Sequence, residues 1–386
     1  MSRGKTKTLT RVINGIEYYY GTVEFPRKLD GRRDIRPVYA KTVAELKEKL
    51  KQLELKKEQG IISSNNDYFG SLFKDWLYNT HLKNKKVSTI NRYEGLYSLY
   101  IKESILKNLK ISKLKSMDIQ KFYNLLETQG TTPNTIKMVH KLIRPFLNYL
   151  YVNGFTIKDF AANGTIKLPR IPKKEKSITV LKLNEQQQFI KSLDDNPDRL
   201  LYLFALGTGL RLGELLALTW SDIKNGLVKV NKNVKKVSLN GKWVNLPQDT
   251  PKTESSNREV PIPGDLLKEL KTHKLQQNNI KAKIGELYSD SNLVFCTDFG
   301  TYIDPSNLNK RFKKALARAN VTPIKFHSLR HTYATRLFEN NVPPKVVSDL
   351  LGHSDITTTL NIYTWVMKSE KTKAVETINN IFTITN

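Results

Sequence analysis

Apolar and polar positions alternate, or recur with helical spacing, in three differently patterned stretches of the 386-residue chain. Residues 8–40 alternate with a period of two: TLTRVI, the pair Asn14-Gly15, then IEYYYGTVEF, a basic turn PRKLDGRRD, and IRPVYA. An Asn-Gly pair between alternating segments predicts a type I′ hairpin, so a three-stranded sheet is expected here. Val43, Leu46, Leu50 and Leu53 then mark one face of a charged helix running to about Glu58. Gly60 and ISSNND close this unit.

From about Asp67 to Phe160 the period becomes helical. Phe69, Leu72, Phe73, Trp76 and Leu77 form one face; Ser88 is an expected cap for a helix bearing Ile90, Tyr93, Leu96, Tyr97 and Tyr100. Ser116 is an expected cap for a third helix ending at Gly130, and Pro133 opens a fourth that carries Ile136 through Leu150. Aromatics that keep the helical period predict a packed four-helix module rather than base-stacking groups. LPRIPKKEKS, residues 168–177, combines proline with basic charge and reads as a linker. The expected domains are 1–62, 63–167 and 178–386, with 168–177 between the last two.

Beyond the linker, Asn184 with Gln187 predicts a capping box, and Gly207 and Gly209 break a helical run so that Arg211 opens a new helix. LVKVN, VKKVSL, KWVNL and REVPI read as strands, followed by helices near 264–283 and 306–319 with a strand LVFC between them. The fold class is therefore multidomain α+β: a small sheet with a helix, an all-α module, and a mainly helical domain with a small antiparallel sheet.

Charge adds a partner. Lys plus Arg number 64 against 36 Asp plus Glu, a formal charge of +28, which favours a polyanion, nucleic acid first, over a merely soluble basic protein. Candidate DNA contacts are Arg27, Lys28, Arg32, Arg33 and Arg36 in the first unit, and Lys85, Lys86, Arg92, Lys137, Lys141 and Arg144 in the second. Each of these is equally compatible with a solvated surface. A single cysteine, Cys296, excludes an internal disulfide framework and is expected on a buried strand. No apolar run reaches the ~18 residues of a membrane span and MSRGKTKT lacks a signal-peptide core, so a cytoplasmic protein is expected.

Residues 326–363 concentrate the candidate chemistry. Ser328 is a candidate cap for a helix carrying Leu329, Tyr333, Leu337 and Phe338, and Arg330 lies one turn beyond His327. Pro343 and Pro344 fit the start of a second helix that ends at Gly352, leaving His353 just past it. Ser354 or Asp355 can cap a third, with Tyr363 at its far end. Alone, any of these side chains is ordinarily a packing or surface residue. Together HSLR, LLGH and NIYT resemble the signature of the tyrosine recombinase (phage integrase) family: H-x-x-R, then L-G-H, then a tyrosine about ten positions on.

TGLRLGELLAL resembles the setting of that family's first arginine, with Arg211 matching it and Glu214 one turn later as a supporting residue; Lys252 in TPKT matches the hairpin lysine, with Lys235, Lys236 and Lys242 close by in sequence. The resemblance implies catalytic roles for Arg211, Lys252, His327, Arg330, His353 and Tyr363. It also implies a 3′-phosphotyrosyl intermediate, a Holliday junction, and no metal or other cofactor. The implied partners are double-stranded core and arm attachment sites, a homotetramer on DNA, an excisionase and a host DNA-bending protein, and the tail after Tyr363 is expected to pack in cis or on a neighbouring protomer. The resemblance points to a prophage or integrative mobile element. A chromosome-dimer-resolving recombinase, a type IB topoisomerase and a non-catalytic architectural protein of the same fold are the alternatives.

Overall fold

β1 (Leu9–Ile13) and β2 (Ile16–Phe25) pair in register Leu9↔Tyr20 through Ile13↔Ile16. The turn between them has positive φ at both Asn14 and Gly15, as a type I′ hairpin requires. β3 (Asp34–Ala40) adds antiparallel to β2, and α1 (Val43–Glu58) covers one face, burying Val23, Phe25, Ala40 and Leu46. Thr42 caps the first turn of α1: its Oγ1 accepts from the Glu45 N–H, and the Glu45 carboxylate accepts from the Lys41 N–H just ahead of the cap.

The computed structural model describes residues 9–25, 33–58, 67–156, 160, 164, 166–171, 178–248, 257–364 and 366. Arg27, Lys28, Arg32, Lys252, linker residues 172–177 and the tail beyond 366 lie outside the described residues. The chain divides into two compact units, Met1–Lys173 and Lys174–Asn386.

The helical module of the first unit contains α2 (Phe69–Trp76), α3 (Val87–Leu96), α4 (Ser116–Thr128) and α5 (Pro133–Val152). α2 and α3 each run on into a π-helical turn, Leu77–His81 and Tyr97–Ile101. The aromatics are core: the buried ring of Phe146 lies 5.2 Å from Phe69, 4.9 Å from Phe73 and 5.3 Å from Trp76, centroid to centroid. Two expected caps move toward the N-terminus, from Ser88 to Lys86 and from Ser116 to Lys115. α3 starts at Val87 rather than after Ser88, and α4 starts at Ser116 itself, because Asp118 reaches back to accept from the Lys115 N–H at 2.9 Å.

In the second unit, α6 (Leu183–Lys191) begins ahead of the expected Asn184 cap, since Glu185 rather than Gln187 accepts from the Lys182 N–H. α7 (Arg199–Thr208) runs straight through Gly207. Only Gly209 breaks it, and Arg211 is the cap of the short α8 (Leu212–Leu215). β4 (Ile223–Lys224), β5 (Leu227–Val230) and β8 (Arg258–Pro261) form one antiparallel sheet, while β6 (Asn233–Leu239) and β7 (Lys242–Gln248) form a separate hairpin. LVFC is not a strand. Leu293 and Cys296 make only isolated bridges, and Cys296 is half-buried, accepting from Gln277 Nε2 at 2.9 Å.

α9 (Gly264–Ile284), α10 (Pro305–Arg318), α11 (His327–Glu339) and α12 (Pro344–Leu351) complete the unit, with a last helix, α13, over 356–364. Phe189, Tyr202, Phe312 and Phe326 centre the core that α6, α7 and α10 share with the start of α11. No described helix is long and apolar enough to cross a membrane.

Candidate active site

The end of α12 organises the site. The last carbonyls of a helix have no intrahelical partner and carry the negative end of its dipole. Here three consecutive ones each accept from a different arginine. Leu350 O accepts from Arg258 Nε at 2.7 Å, Leu351 O from Arg330 Nη2, and Gly352 O from Arg211 Nη2 at 3.2 Å. Gly352 closes the helix in the left-handed region at φ 63°, a conformation that glycine adopts without Cβ strain. The chain then leaves the helix axis and delivers His353 beside the arginines.

Arg330 is 2% exposed. Its Nη1 donates to Gly209 O at 2.9 Å, which ties α11 to the end of α7. Gly209 has φ 63° and a Cβ there would stand 2.4 Å from Tyr333 Cδ1, so no larger residue fits at this junction. Burial first, and then Arg211, pull the Arg330 guanidinium down to about 9, still protonated at neutral pH. Ser328 is not the cap of α11. It lies inside the helix and is buried, because the helix already starts at His327.

Arg211 is more open, its side chain 37% exposed. Its Nη1 donates to Glu214 Oε1 at 2.7 Å and its backbone N–H to Glu214 Oε2 at 2.9 Å. Glu214 is buried, which alone would raise its carboxyl; the hydrogen bonds and charge of Arg258, with Arg211, outweigh this and hold it at about 2. Sequence reading did not single out Arg258. Its signal was present: in REVP, residues 258 and 260 are buried and 259 and 261 exposed, so the period of two places an arginine on the same face as a core valine.

The two histidines are neutral near pH 7. Burial first, then His331 and the two arginines, lower His327 to about 4; burial, Arg330 and Arg211 lower His353 to about 3. His353 Nδ1 bonds buried Thr359 Oγ1 at 2.7 Å, which fixes the ring and leaves Nε2 as its second hydrogen-bonding atom. The His327 ring stands edge-on to His331, 4.8 Å between centroids. Tyr363 on α13 is half-buried, its ring edge-on to Phe338 at 5.2 Å, in the apolar cluster of Ala334, Phe338, Val347 and Leu351. Among the described residues no hydrogen bond joins it to the arginines or histidines. Phe338 lies eight residues beyond Arg330 on α11, roughly 12 Å along the axis.

Thus the fold brings Arg211, Glu214, Arg330, His327 and His353 together, seats Tyr363 on a neighbouring apolar cluster, and Lys252 lies outside the described residues. Of the candidate DNA contacts, Arg33 pairs with Glu24 at 2.8 Å, and the Arg36 guanidinium lies 3.8 Å over the Phe25 ring. Lys85, Lys86 and Lys137 are half-buried and Arg92, Lys141 and Arg144 exposed. Lys137, Lys141 and Arg144 share one face of α5 by their spacing.

These shifted groups set an acid limit on stability. An unfolded histidine titrates near ~6.5, so between there and about 4 the unfolded chain binds protons that His327 and His353 refuse in the folded one. Stability therefore falls as pH drops through that window, and Glu214 extends the loss from its unfolded carboxyl value down toward about 2. Melting temperatures recorded from pH 7.5 to 4.5 are expected to decline, and the double variant His327→Asn/His353→Asn to decline less steeply. An unchanged slope in the variant would refute this assignment.

The sequence pattern described as the phage integrase family matches residues 179–370, and the phage integrase N-terminal SAM-like domain matches residues 68–126. A protein of Caldanaerobacter subterraneus subsp. tengcongensis named "Tyrosine recombinase XerC-like" is 40% identical over 97% of this chain and 99% of its own length. The "ICEBs1 integrase" of Bacillus subtilis is 25% identical over 90% of this chain and 92% of its own. Among solved structures, the Tn1549 transposon integrase in complex with transposon right end DNA shares the fold with a TM-score of 0.62, at 19% identity, over 80% of this chain and 99% of that one. Identity of that degree along nearly the full length of two chains places this one in the phage integrase family of tyrosine recombinases, enzymes that break and rejoin DNA strands without ATP.

Proposed function

We propose that this recombinase integrates and excises a mobile element at specific attachment sites, with Tyr363 as nucleophile. The observation that carries the site assignment is the fan of three arginines on the α12 carbonyls, which fixes two forked cations beside His353. In the proposed reaction the Tyr363 oxygen attacks the phosphorus, the P–O5′ bond breaks, and a 3′-phosphotyrosine and a 5′ hydroxyl result. Arg211 and Arg330 hold the non-bridging oxygens, where charge grows as phosphorus becomes five-coordinate. His327 takes the phenol proton, His353 donates a further hydrogen bond, and Lys252 protonates O5′. A free 5′ hydroxyl from the partner strand then reverses the step.

The electrostatics support this division of roles. Burial first, and then the nearby arginines, depress His327 and His353; an incoming phosphodiester offsets the arginine contribution and so favours their protonated forms relative to the DNA-free site. Tyr363 rests edge-on against Phe338 in the DNA-free chain, with no hydrogen bond to the arginines or histidines among the described residues.

Integration is favoured over chromosome-dimer resolution by the three-stranded sheet domain ahead of the helical module, which suits arm-site binding, and by the full-length similarity to the ICEBs1 integrase. The relative's "XerC-like" name favours dimer resolution as the second reading. A plasmid assay decides between them. Recombination between the two ends of the element that carries the gene, and not between copies of the host's dimer-resolution site, is expected; the reverse pattern would overturn integration. A homotetramer spanning two core sites, with an excisionase and a host DNA-bending protein, belongs to the same proposal.

Arg211→Lys tests the site directly. An ammonium cannot present two parallel donors, and loss of one such contact typically lowers a rate by about 10²–10³-fold. Covalent adduct formation on a nicked attachment-site duplex is expected to fall by that factor with duplex affinity nearly unchanged. Cleavage at the wild-type rate would remove Arg211 from the mechanism.

A further inference from the structure

Arg258 carries a buried positive charge that the proposed reaction does not use. Its side chain is 6% exposed, against 37% for Arg211. All three of its guanidinium nitrogens are engaged: Nε on Leu350 O at 2.7 Å, Nη1 on Glu214 Oε1 at 3.3 Å and Nη2 on Glu214 Oε2 at 2.9 Å. β8 holds the residue opposite Val230 on β5, so its backbone cannot follow a ligand. Three of its five N–H donors are so engaged, and a group this enclosed is out of reach of DNA.

What it does is decided by Glu214. That carboxylate has four hydrogen bonds, two from Arg258 and two from Arg211, one of the latter through the backbone. Remove Arg258, and every remaining donor to the buried carboxylate belongs to Arg211. The carboxylate and Arg211 then form a closed neutral pair, and a phosphate must compete with an internal anion for the same fork.

We propose that Arg258 is a positioning residue for DNA cleavage, which neutralises Glu214 and anchors it to α12 so that the exposed edge of Arg211 is left for the phosphate. This rests on the proposed role of Arg211 in phosphate binding. It assigns Glu214 the task of orienting Arg211 through its backbone N–H and Nη1, while Arg258 shares the carboxylate's charge and fixes its position.

The test is a double-mutant cycle on the full-length protein with a nicked attachment-site duplex, reading the rate of covalent adduct formation and, separately, duplex affinity. Arg258→Gln is expected to slow adduct formation by about 30- to 100-fold while affinity changes less than threefold. Adding Glu214→Gln removes the uncompensated anion and is expected to restore roughly tenfold of that loss. Arg258→Lys, which keeps charge without the fork, is expected to fall between wild type and Arg258→Gln, and serves if the glutamine variant does not fold. Equal rates for wild type and Arg258→Gln would overturn the proposal. So would a double variant no faster than Arg258→Gln, or an Arg258→Lys variant no faster than Arg258→Gln at equal melting temperature. If wild type itself forms no adduct, the proposed function has failed, and that outcome is distinct from wild-type activity with no suppression by Glu214→Gln.

Discussion

Tyr363→Phe should eliminate covalent attachment to a nicked attachment-site duplex, with no residual adduct above the level of a denatured control, and leave DNA binding and melting temperature close to wild type. The variant loses one oxygen and nothing else. Its ring can keep the edge-on contact with Phe338 and its place in the cluster with Val347 and Leu351, so folding has no reason to change. Adduct yields are read by denaturing gel after a fixed incubation with a duplex whose nick lets the 5′ fragment diffuse away. An adduct at wild-type yield would mean that another nucleophile attacks, and would remove Tyr363 from the chemistry.

Arg330→Ala should be damaging in two separable ways. Arg330 is enclosed on all sides and holds Gly209 O and Leu351 O. Removing it orphans both carbonyls at the junction of α7, α11 and α12. Each buried unsatisfied acceptor costs about 1–3 kcal/mol, so a loss of roughly 2–6 kcal/mol is expected, seen as a drop in melting temperature on the order of 4–24 °C. Cleavage should fall below detection. Arg330→Lys separates the two effects, because an ammonium can satisfy one carbonyl and keep the charge. Much of the stability should return, while cleavage stays at least about 10²-fold down for want of the second donor. A lysine variant that cleaves normally would show that Arg330 serves the fold alone.

What could be read in advance follows the range over which sequence speaks. The Asn14-Gly15 hairpin, Pro133 opening α5, and Gly352 ending α12 are each dictated by the backbone needs of neighbouring residues, and each stands where the pattern puts it. The capping errors at Ser88, Ser116, Asn184 and Ser328 share a cause. A hydroxyl or amide can cap only if its own backbone is extended. At α4 and α6 an acidic residue three positions after the true cap takes the free N–H instead and sets the start. LVFC has the composition of a strand and no neighbouring edge to pair with along its length, a fact about tertiary structure that no window of residues contains.

The site divides the same way. HSLR and LLGH are short, contiguous and carried on one helix start and one helix end, so their letters already imply their geometry. Arg258 is separated from Glu214 by 44 positions and from Leu350 by 92, and nothing local says that those groups meet. The pairing of Thr359 with His353 lies nearer, six residues apart, yet depends on the chain reversal between α12 and α13. Tyr363 is legible as a tyrosine at the right distance. Its resting contact with Phe338 is not, because it depends on how two helices pack.

The three carbonyls at the end of α12 make spacing more critical than identity. Each step along a helix turns the backbone by about 100° and advances it about 1.5 Å. Deleting one residue between Pro344 and Leu351, while keeping the helix, would therefore swing all three acceptors away from Arg258, Arg330 and Arg211 in a single stroke and carry His353 with them. Exchanging an exposed side chain such as Lys345 would move none of them. For anyone altering this protein, the tolerant parameter there is spelling, and the intolerant one is length.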